Sequence, residues 1–334
     1  MNSTDYANLT NKQQISFLRK YAKEFADEFG LDPTKIRLVQ HAYNTTFRVD
    51  DPKLGSHALR INTNSIRQVA ELKGEVEFVS ALRHVPELTV AKPRSNRKGE
   101  KVLLREWPHT KQPMAATCYS WLTGRFFLKR PGREQAALVG RATAAMHDFA
   151  ERWQLPEGAQ FRTQNDILQG TPWLLDNSPA IQDHGIWKEV MARAEDAYAQ
   201  LRKKRPIPIH FDLHFANMKF APNEVQIFDF DDTVLDRPLV DAAVTFFYWR
   251  FAKNADELER IYWENNPRDP VAEGMDFKSL EAIVAGRLLF LVNGLSAINT
   301  AHLQDIGVRY IKAGEIRLSN YLKTGKYDPT VAKV

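Results

Sequence analysis

Apolar residues first recur at helical spacing over residues 11–29, where Ile15, Phe17, Leu18, Tyr21, Phe25 and Phe29 define one face. Gly30 stops that helix and Asp32-Pro33 turns the chain. The pattern then changes to short apolar runs. Residues 36–39 and 45–49 predict a strand pair joined by Gln40-His-Ala-Tyr-Asn44, and residues 57–62 a third strand. A helix is expected over 65–83, an irregular link over 86–93, and two more strands over 101–107 and 114–122, the first preceded by a tight turn at 96–99. Helical periodicity returns over 133–153 and 186–204, then in an apolar helix opening at Asp241, and over 255–264, 278–300 and 305–322. Between these helices lies one stretch of different character, 207–241. Ile207 and Ile209 run into a polar loop, residues 218–220 and 225–230 predict two strands, and Pro222-Asn223 turns between them. Strand patterns thus gather early in the chain and helical patterns late.

Composition narrows the class without naming a reaction. With 334 residues, 43% hydrophobic and 26% charged, the chain is long enough for one large domain or two lobes and needs no covalent staple. Cys118 is the only cysteine, so no intramolecular disulfide forms, which fits a cytoplasmic location. The net charge of +5 is dispersed, and the longest basic run, 202–205, reads as a solvated helix end, so no nucleic-acid partner is expected. The first six residues have neither the basic nor the apolar region of a signal peptide. The most apolar run, 285–295, is interrupted by Arg287 and Asn293 and reads as a buried core helix, so no membrane partner is expected either.

The chemistry concentrates in 207–241. His210-x-Asp212 is followed by Asn217 and, about a dozen residues later, by Asp229. Phosphoryl transfer needs a carboxylate to orient and deprotonate the attacking hydroxyl, and Asp212 suits this. It also needs hard oxygen donors for magnesium, and the Asn217 amide with the Asp229 carboxylate suits that. The stretch ends in Phe228-Asp-Phe-Asp-Asp232, so Asp231 and Asp232 are candidates for facing the acceptor or supporting the metal, and His214 for touching substrate or bracing the loop.

These residues resemble the aminoglycoside phosphotransferase and choline kinase-like family, whose signature is His-Gly-Asp-Leu-His-x-x-Asn followed by Ile-Asp-Phe-Asp-Asp; Phe211 stands where the family has Gly. The resemblance runs from about residue 36 to 300. It implies an α+β, two-lobed protein-kinase-like fold with a small antiparallel-sheet lobe, a larger mainly helical lobe, and a nucleotide between them. The implied division is 1–30 as a packing helix, 31–120 as the nucleotide-binding lobe, and 121–334 as the helical lobe. Arg60 takes the place of the phosphate-bridging lysine of protein kinases, with Glu75 as its helix partner and Glu71 or Glu77 as alternatives. Residues 119–124 resemble the hinge whose backbone meets the adenine, which makes Ser120 and Leu122 nucleotide-binding candidates. Asn44 and Thr45 are candidates in the glycine-free phosphate loop, His147 reads as structural, and Asp241 as a brace beneath the catalytic loop.

The implied activity is transfer of phosphate from ATP or GTP, with Mg2+, to a hydroxyl of an amino alcohol, hydroxy amino acid, aminoglycoside or sugar, or of protein Ser/Thr, by a monomer or homodimer. Asp231, Asp232 and Asp236 hint at a cationic acceptor. Two alternatives stand beside it. Residues 227–236 also resemble the first motif of haloacid-dehalogenase-like phosphatases, with Asp229 as nucleophile, but that fold needs a doubly wound sheet with further strands. A nucleotide-binding regulator with little turnover is the other.

Overall fold

The computed structural model describes residues 6, 9–42, 44–62, 67–106, 113–127, 131–297 and 301–334, the side chains of 301–304 aside. Tyr43 of the phosphate loop, Ser65 at the expected helix start, Trp107 at the expected strand end and residues 298–300 lie outside the described residues, as do the first five. The chain divides into two compact units. The first comprises Met1–Gly124, Gln154–Phe161 and Gln226–Asp231; the second comprises Arg125–Trp153, Arg162–Val225 and Asp232–Val334.

In the first unit, helix α1 (Asn11–Glu28) opens with a capping box: the Gln13 N–H donates to Thr10 Oγ1, and the Thr10 N–H donates to Gln13 Oε1 at 2.9 Å. Gly30, at φ +71°, takes the left-handed position that ends it. Strands β1 (Lys35–His41), β2 (Asn44–Asp51) and β3 (Gly55–Asn62) join β5 (Val102–Arg105) and β6 (Met114–Ser120) in an antiparallel sheet of order β1-β2-β3-β6-β5. Strict alternation along β2 buries Thr45, Phe47, Val49 and Asp51. Leu18, Ala22 and Phe25 of α1 share one core with Phe47, Val49, Leu59 and Ile61.

Helix α2 (Val69–Leu82) packs on β5 and on β4 (Thr89–Val90). Gly74 lets its backbone approach the Gln160 carbonyl, where an added Cβ would come within 2.4 Å. The link at 86–93, expected to be irregular, contains β4, whose two residues pair in parallel with Gln226 and Ile227.

The second unit is mainly helical: α3 (Arg133–Arg152), α4 (His184–Leu201), α5 (Pro238–Trp249), α6 (Ala255–Glu264), α7 (Phe277–Ser296) and α8 (Ala301–Thr324). Helix α5 starts three residues before Asp241, with Pro238 in its first turn, and buries every residue except Tyr248. Strand β7 (Ile207–Ile209) leads into the loop at 210–217 and pairs antiparallel with β10 (Val234–Asp236), a three-residue strand too short to be foreseen. Strand β8 (Met218–Ala221) follows the loop, and β9 begins at Glu224.

Two of the strand ends that differ from expectation lie beside candidate site residues. β6 stops at Ser120, not at Leu122. β9 (Glu224–Ile227) stops short of Phe230, because Asp229 has φ +64° and a left-handed residue cannot continue a strand. Among the described residues, Phe277–Ser296 is the one helix long and apolar enough to cross a membrane, but 61% of that window is buried, with α4, α5 and α8 packed around it.

Candidate active site

Backbone strain marks the loop after β7. Phe211 has φ +67°, a conformation glycine adopts freely and a bulky residue resists. The fully buried Asp241 carboxylate opposes that strain. It accepts the N–H of Phe211 at 2.7 Å on Oδ1, and on Oδ2 the N–H of His210 at 3.0 Å and His147 Nε2 at 2.9 Å. Aromatic packing adds to this: the Phe211 ring meets Phe290 edge-on at 5.8 Å, and the Arg287 guanidinium lies 5.1 Å from its centroid. The glycine position of the family signature is therefore filled by a strained phenylalanine. The brace expected of Asp241 is present as a set of hydrogen bonds, and His147 is a buried structural partner of it.

This frame sets Asp212. Its Oδ2 accepts from Asn217 Nδ2 at 2.9 Å and from His214 Nε2 at 3.2 Å, and its Oδ1 from Arg287 Nη2 at 2.9 Å. His214 Nδ1 accepts the Ala216 N–H at 3.1 Å, so the proton resides on Nε2 and points at the carboxylate. The His214 ring also lies against Tyr248, 4.4 Å between centroids. Burial opposes ionisation of Asp212, but the His214 hydrogen bond and the Arg287 charge outweigh it and hold the carboxyl well below the usual carboxylate range. Asn217 closes a short turn, Phe215–Asn217, and its Nδ2 also donates to the Asp212 carbonyl at 2.9 Å.

In the first unit, Arg60 on β3 is buried and forms an ion pair with Glu75 on α2. The other Glu75 oxygen accepts the Tyr119 hydroxyl at 2.7 Å. The alternative glutamates go elsewhere: Glu71 caps α2 by accepting the Gln68 N–H at 2.8 Å, and Glu77 pairs with Lys101 at 2.8 Å. Asp231 lies 3.5 Å from Arg60 and accepts from Asn44 Nδ2 at 2.7 Å. Asp229 lies 3.8 Å from Arg60 and keeps 45% of its side chain exposed.

Ser120 ends β6 with its N–H donated to the Lys92 carbonyl at 2.8 Å and its Oγ accepting the Lys92 N–H at 2.8 Å. Leu122 follows the strand, half-buried. Asp232 is exposed at the end of a short helical turn. Asp236 is fully buried against Arg237 and Tyr198, so it cannot face an acceptor, and that part of the hint toward a cationic acceptor falls away.

Sequence reasoning did not single out Arg287 as a site residue. Its signal was a lone arginine inside the most apolar run of the chain, which burial obliges to find a partner. No group of three or more His, Cys, Asp or Glu poised to hold a metal occurs among the described residues. The half-exposed Asp229 carboxylate is by itself a hard oxygen donor of the kind magnesium takes.

Comparison with known proteins agrees with this architecture. A family model described as the phosphotransferase enzyme family matches residues 35–269. The chain belongs to that family: it is a phosphotransferase, a kinase with a protein-kinase-like fold. No curated protein matches the sequence. Among solved structures, an amicoumacin kinase bound to AMP-PNP, Ca2+ and amicoumacin superimposes with a TM-score of 0.71 at 17% identity, covering 99% of each chain. A microcompartment-associated aminopropanol kinase gives 0.71 at 19% identity, covering 93% of this chain and 99% of that one. A spectinomycin phosphotransferase gives 0.56 at 12% identity, covering 88% and 93%. The antiparallel five-stranded sheet and the family match overturn the phosphatase alternative, since no doubly wound sheet is present among the described residues.

Proposed function

We propose that this chain transfers the terminal phosphoryl group of ATP to a hydroxyl of a small molecule, of the range amino alcohol, hydroxy amino acid, aminoglycoside or sugar. The observation that carries the reading is Asp212, ionised and fixed by Asn217, His214 and Arg287 on a braced loop. Phosphoryl transfer of this kind passes through a loose transition state, so the acceptor proton leaves late. A carboxylate of low basicity then serves mainly to orient the hydroxyl and takes its proton as the new phosphate ester forms.

Asn217 and Asp229 would hold Mg2+. When bound, the ion supplies neutralisation of charge on the phosphates. Arg60, fixed by Glu75, would meet a phosphate oxygen, and the backbone around Leu122 the nucleotide base. The exposed Asp232 would border the acceptor, with Asp231 held back by Asn44 and Arg60.

The test pairs two substitutions with calorimetry and turnover. Asp212→Asn should leave Mg-ATP affinity near normal and lower kcat by roughly 10²–10⁴. Asn217→Ala should weaken Mg-ATP binding and raise the magnesium requirement. An unchanged melting temperature in millimolar Mg-ATP and Mg-GTP, or full turnover by Asp212→Asn, would overturn the assignment.

A further inference from the structure

Arg60 and Tyr119 lie on neighbouring strands of the first unit, where the register sets Tyr119 opposite Ala58, two residues before Arg60. Residues opposite each other, and residues two apart on one strand, share a face. Tyr119 and Arg60 therefore project from the same face, and both reach Glu75 on α2. All three side chains are buried. The Tyr119 hydroxyl donates to Glu75 Oε1 at 2.7 Å, while Glu75 Oε2 accepts from Arg60 Nη2. Burial, with the neighbouring Glu75 charge, pushes the Tyr119 phenol well up, so it keeps its proton and stays a donor. The Arg60 guanidinium lies 5.9 Å from the Tyr119 ring centroid.

A carboxylate with both oxygens unoccupied commonly takes a guanidinium by two parallel hydrogen bonds. Here the hydroxyl holds one oxygen, and Glu75 meets Arg60 through the other alone. That commits Nη2, which also faces Asp231 at 3.5 Å, and Nε is buried. Nη1 lies 3.8 Å from Asp229, whose side chain is 45% exposed. It is the corner of the guanidinium that a ligand arriving beside Asp229 meets.

We propose that Tyr119 is a positioning residue for the nucleotide: by holding Glu75 Oε1 it keeps Glu75 from chelating both Nη groups, and so leaves Arg60 Nη1 for a phosphate oxygen. This rests on the reading of Arg60 as a phosphate-binding residue. A tyrosine that merely filled space beside the nucleotide would act on the base and the phosphates alike. One that acts through Glu75 and Arg60 acts on the phosphates.

The test uses calorimetry with two probes, Mg-AMP-PNP and adenosine, which lacks phosphate, and the melting temperature of each variant without nucleotide. Tyr119→Phe removes only the hydroxyl. It should weaken Mg-AMP-PNP tenfold or more, and at least fivefold more than it weakens adenosine. In a Glu75→Gln background, where one acceptor oxygen remains and chelation is impossible, the same substitution should cost at least threefold less. Should Tyr119→Phe fail to fold, Glu75→Gln alone still decides: it should bind Mg-AMP-PNP at least threefold tighter than Glu75→Ala, because one oxygen suffices to hold Arg60. Equal losses on the two probes, equal losses in the two backgrounds, no loss in Tyr119→Phe, or equal affinities of Glu75→Gln and Glu75→Ala would overturn the proposal. Arg60→Met separates the two readings. If it leaves Mg-AMP-PNP affinity at the parent value, the phosphate role of Arg60 fails and this proposal with it. If it weakens binding while Tyr119→Phe does not, the proposal alone fails.

Discussion

The Phe211 N–H donates to Asp241 Oδ1 at 2.7 Å while Phe211 itself is held at φ +67°. A strained residue and the carboxylate that restrains it thus stand one position before Asp212. Replacing Phe211 by glycine removes the strain, of order 1–3 kcal/mol, but also removes a buried ring. Replacing it by alanine removes the ring and keeps the strained backbone. Both variants should be less stable than the parent, by about 1–4 kcal/mol. Phe211→Gly, although the larger deletion, should melt above Phe211→Ala by about 1 kcal/mol equivalent. The reverse order in chemical denaturation would mean that the left-handed backbone carries no strain.

Asp241 should tolerate no isosteric change. An asparagine there keeps one acceptor oxygen but turns an NH2 group toward backbone N–H donors now bound to a carboxylate, the His210 N–H at 3.0 Å among them. One donor facing another in a site with no exposure costs about 1–3 kcal/mol, and loss of a charge-assisted bond adds to it. Asp241→Asn is expected to lose about 2–4 kcal/mol in urea unfolding, and kcat should fall with it. If stability drops while kcat holds, the brace serves the fold alone.

Much of this arrangement was legible because it rests on local pattern. The α1 face of Leu18 and Phe25, the alternation of β2 and the cluster His210, Asp212, Asn217 all declare themselves within a few residues. What stayed hidden depends on residues distant in the chain. Arg287 reaches Asp212 across 75 positions and Asn44 reaches Asp231 across 187, and no local rule encodes either pairing. β4 and β10, of two and three residues, carry too little periodicity to stand out. The early end of β9 was hidden for another reason: Val225 to Phe230 reads as one apolar strand, and only the left-handed φ of Asp229 breaks it.

Gly140 offers a test of packing against propensity. It lies inside α3, where alanine would normally stabilise a helix by about 1 kcal/mol. An added Cβ would sit 2.5 Å from the Tyr262 carbonyl oxygen and 3.1 Å from Asn265 Cβ, so α3 and α6 would have to separate. Gly140→Ala should therefore destabilise by about 1–3 kcal/mol, a sign opposite to the propensity expectation. A rise in melting temperature would show that the two helices yield easily.

The last prediction concerns pH. Burial pushes the Asp236 carboxyl from 3.8 up to about 7, against the opposing pull of Arg237. A carboxyl raised in the folded state binds its proton more tightly folded than unfolded. Its contribution is fully present below pH 3.8 and is lost as pH rises through about 7. Asp50 works the other way: hydrogen bonds from Ser56 and Arg48 hold it down to about 2, so its contribution is present above pH 3.8 and lost as pH falls through about 2. The two windows do not overlap. Between pH 4 and 7 the Asp236 term should act with little interference from Asp50, lowering stability with rising pH by up to about 4 kcal/mol at about 1.4 kcal/mol per pH unit. Asp236→Asn, which keeps the shape and cannot ionise, should flatten that slope and leave the protein more stable than the parent at pH 8. Urea titrations at pH 4.5, 6, 7 and 8 decide the matter. A slope equally steep in Asp236→Asn would assign the dependence to another group and leave Asp236 ionised beside Arg237.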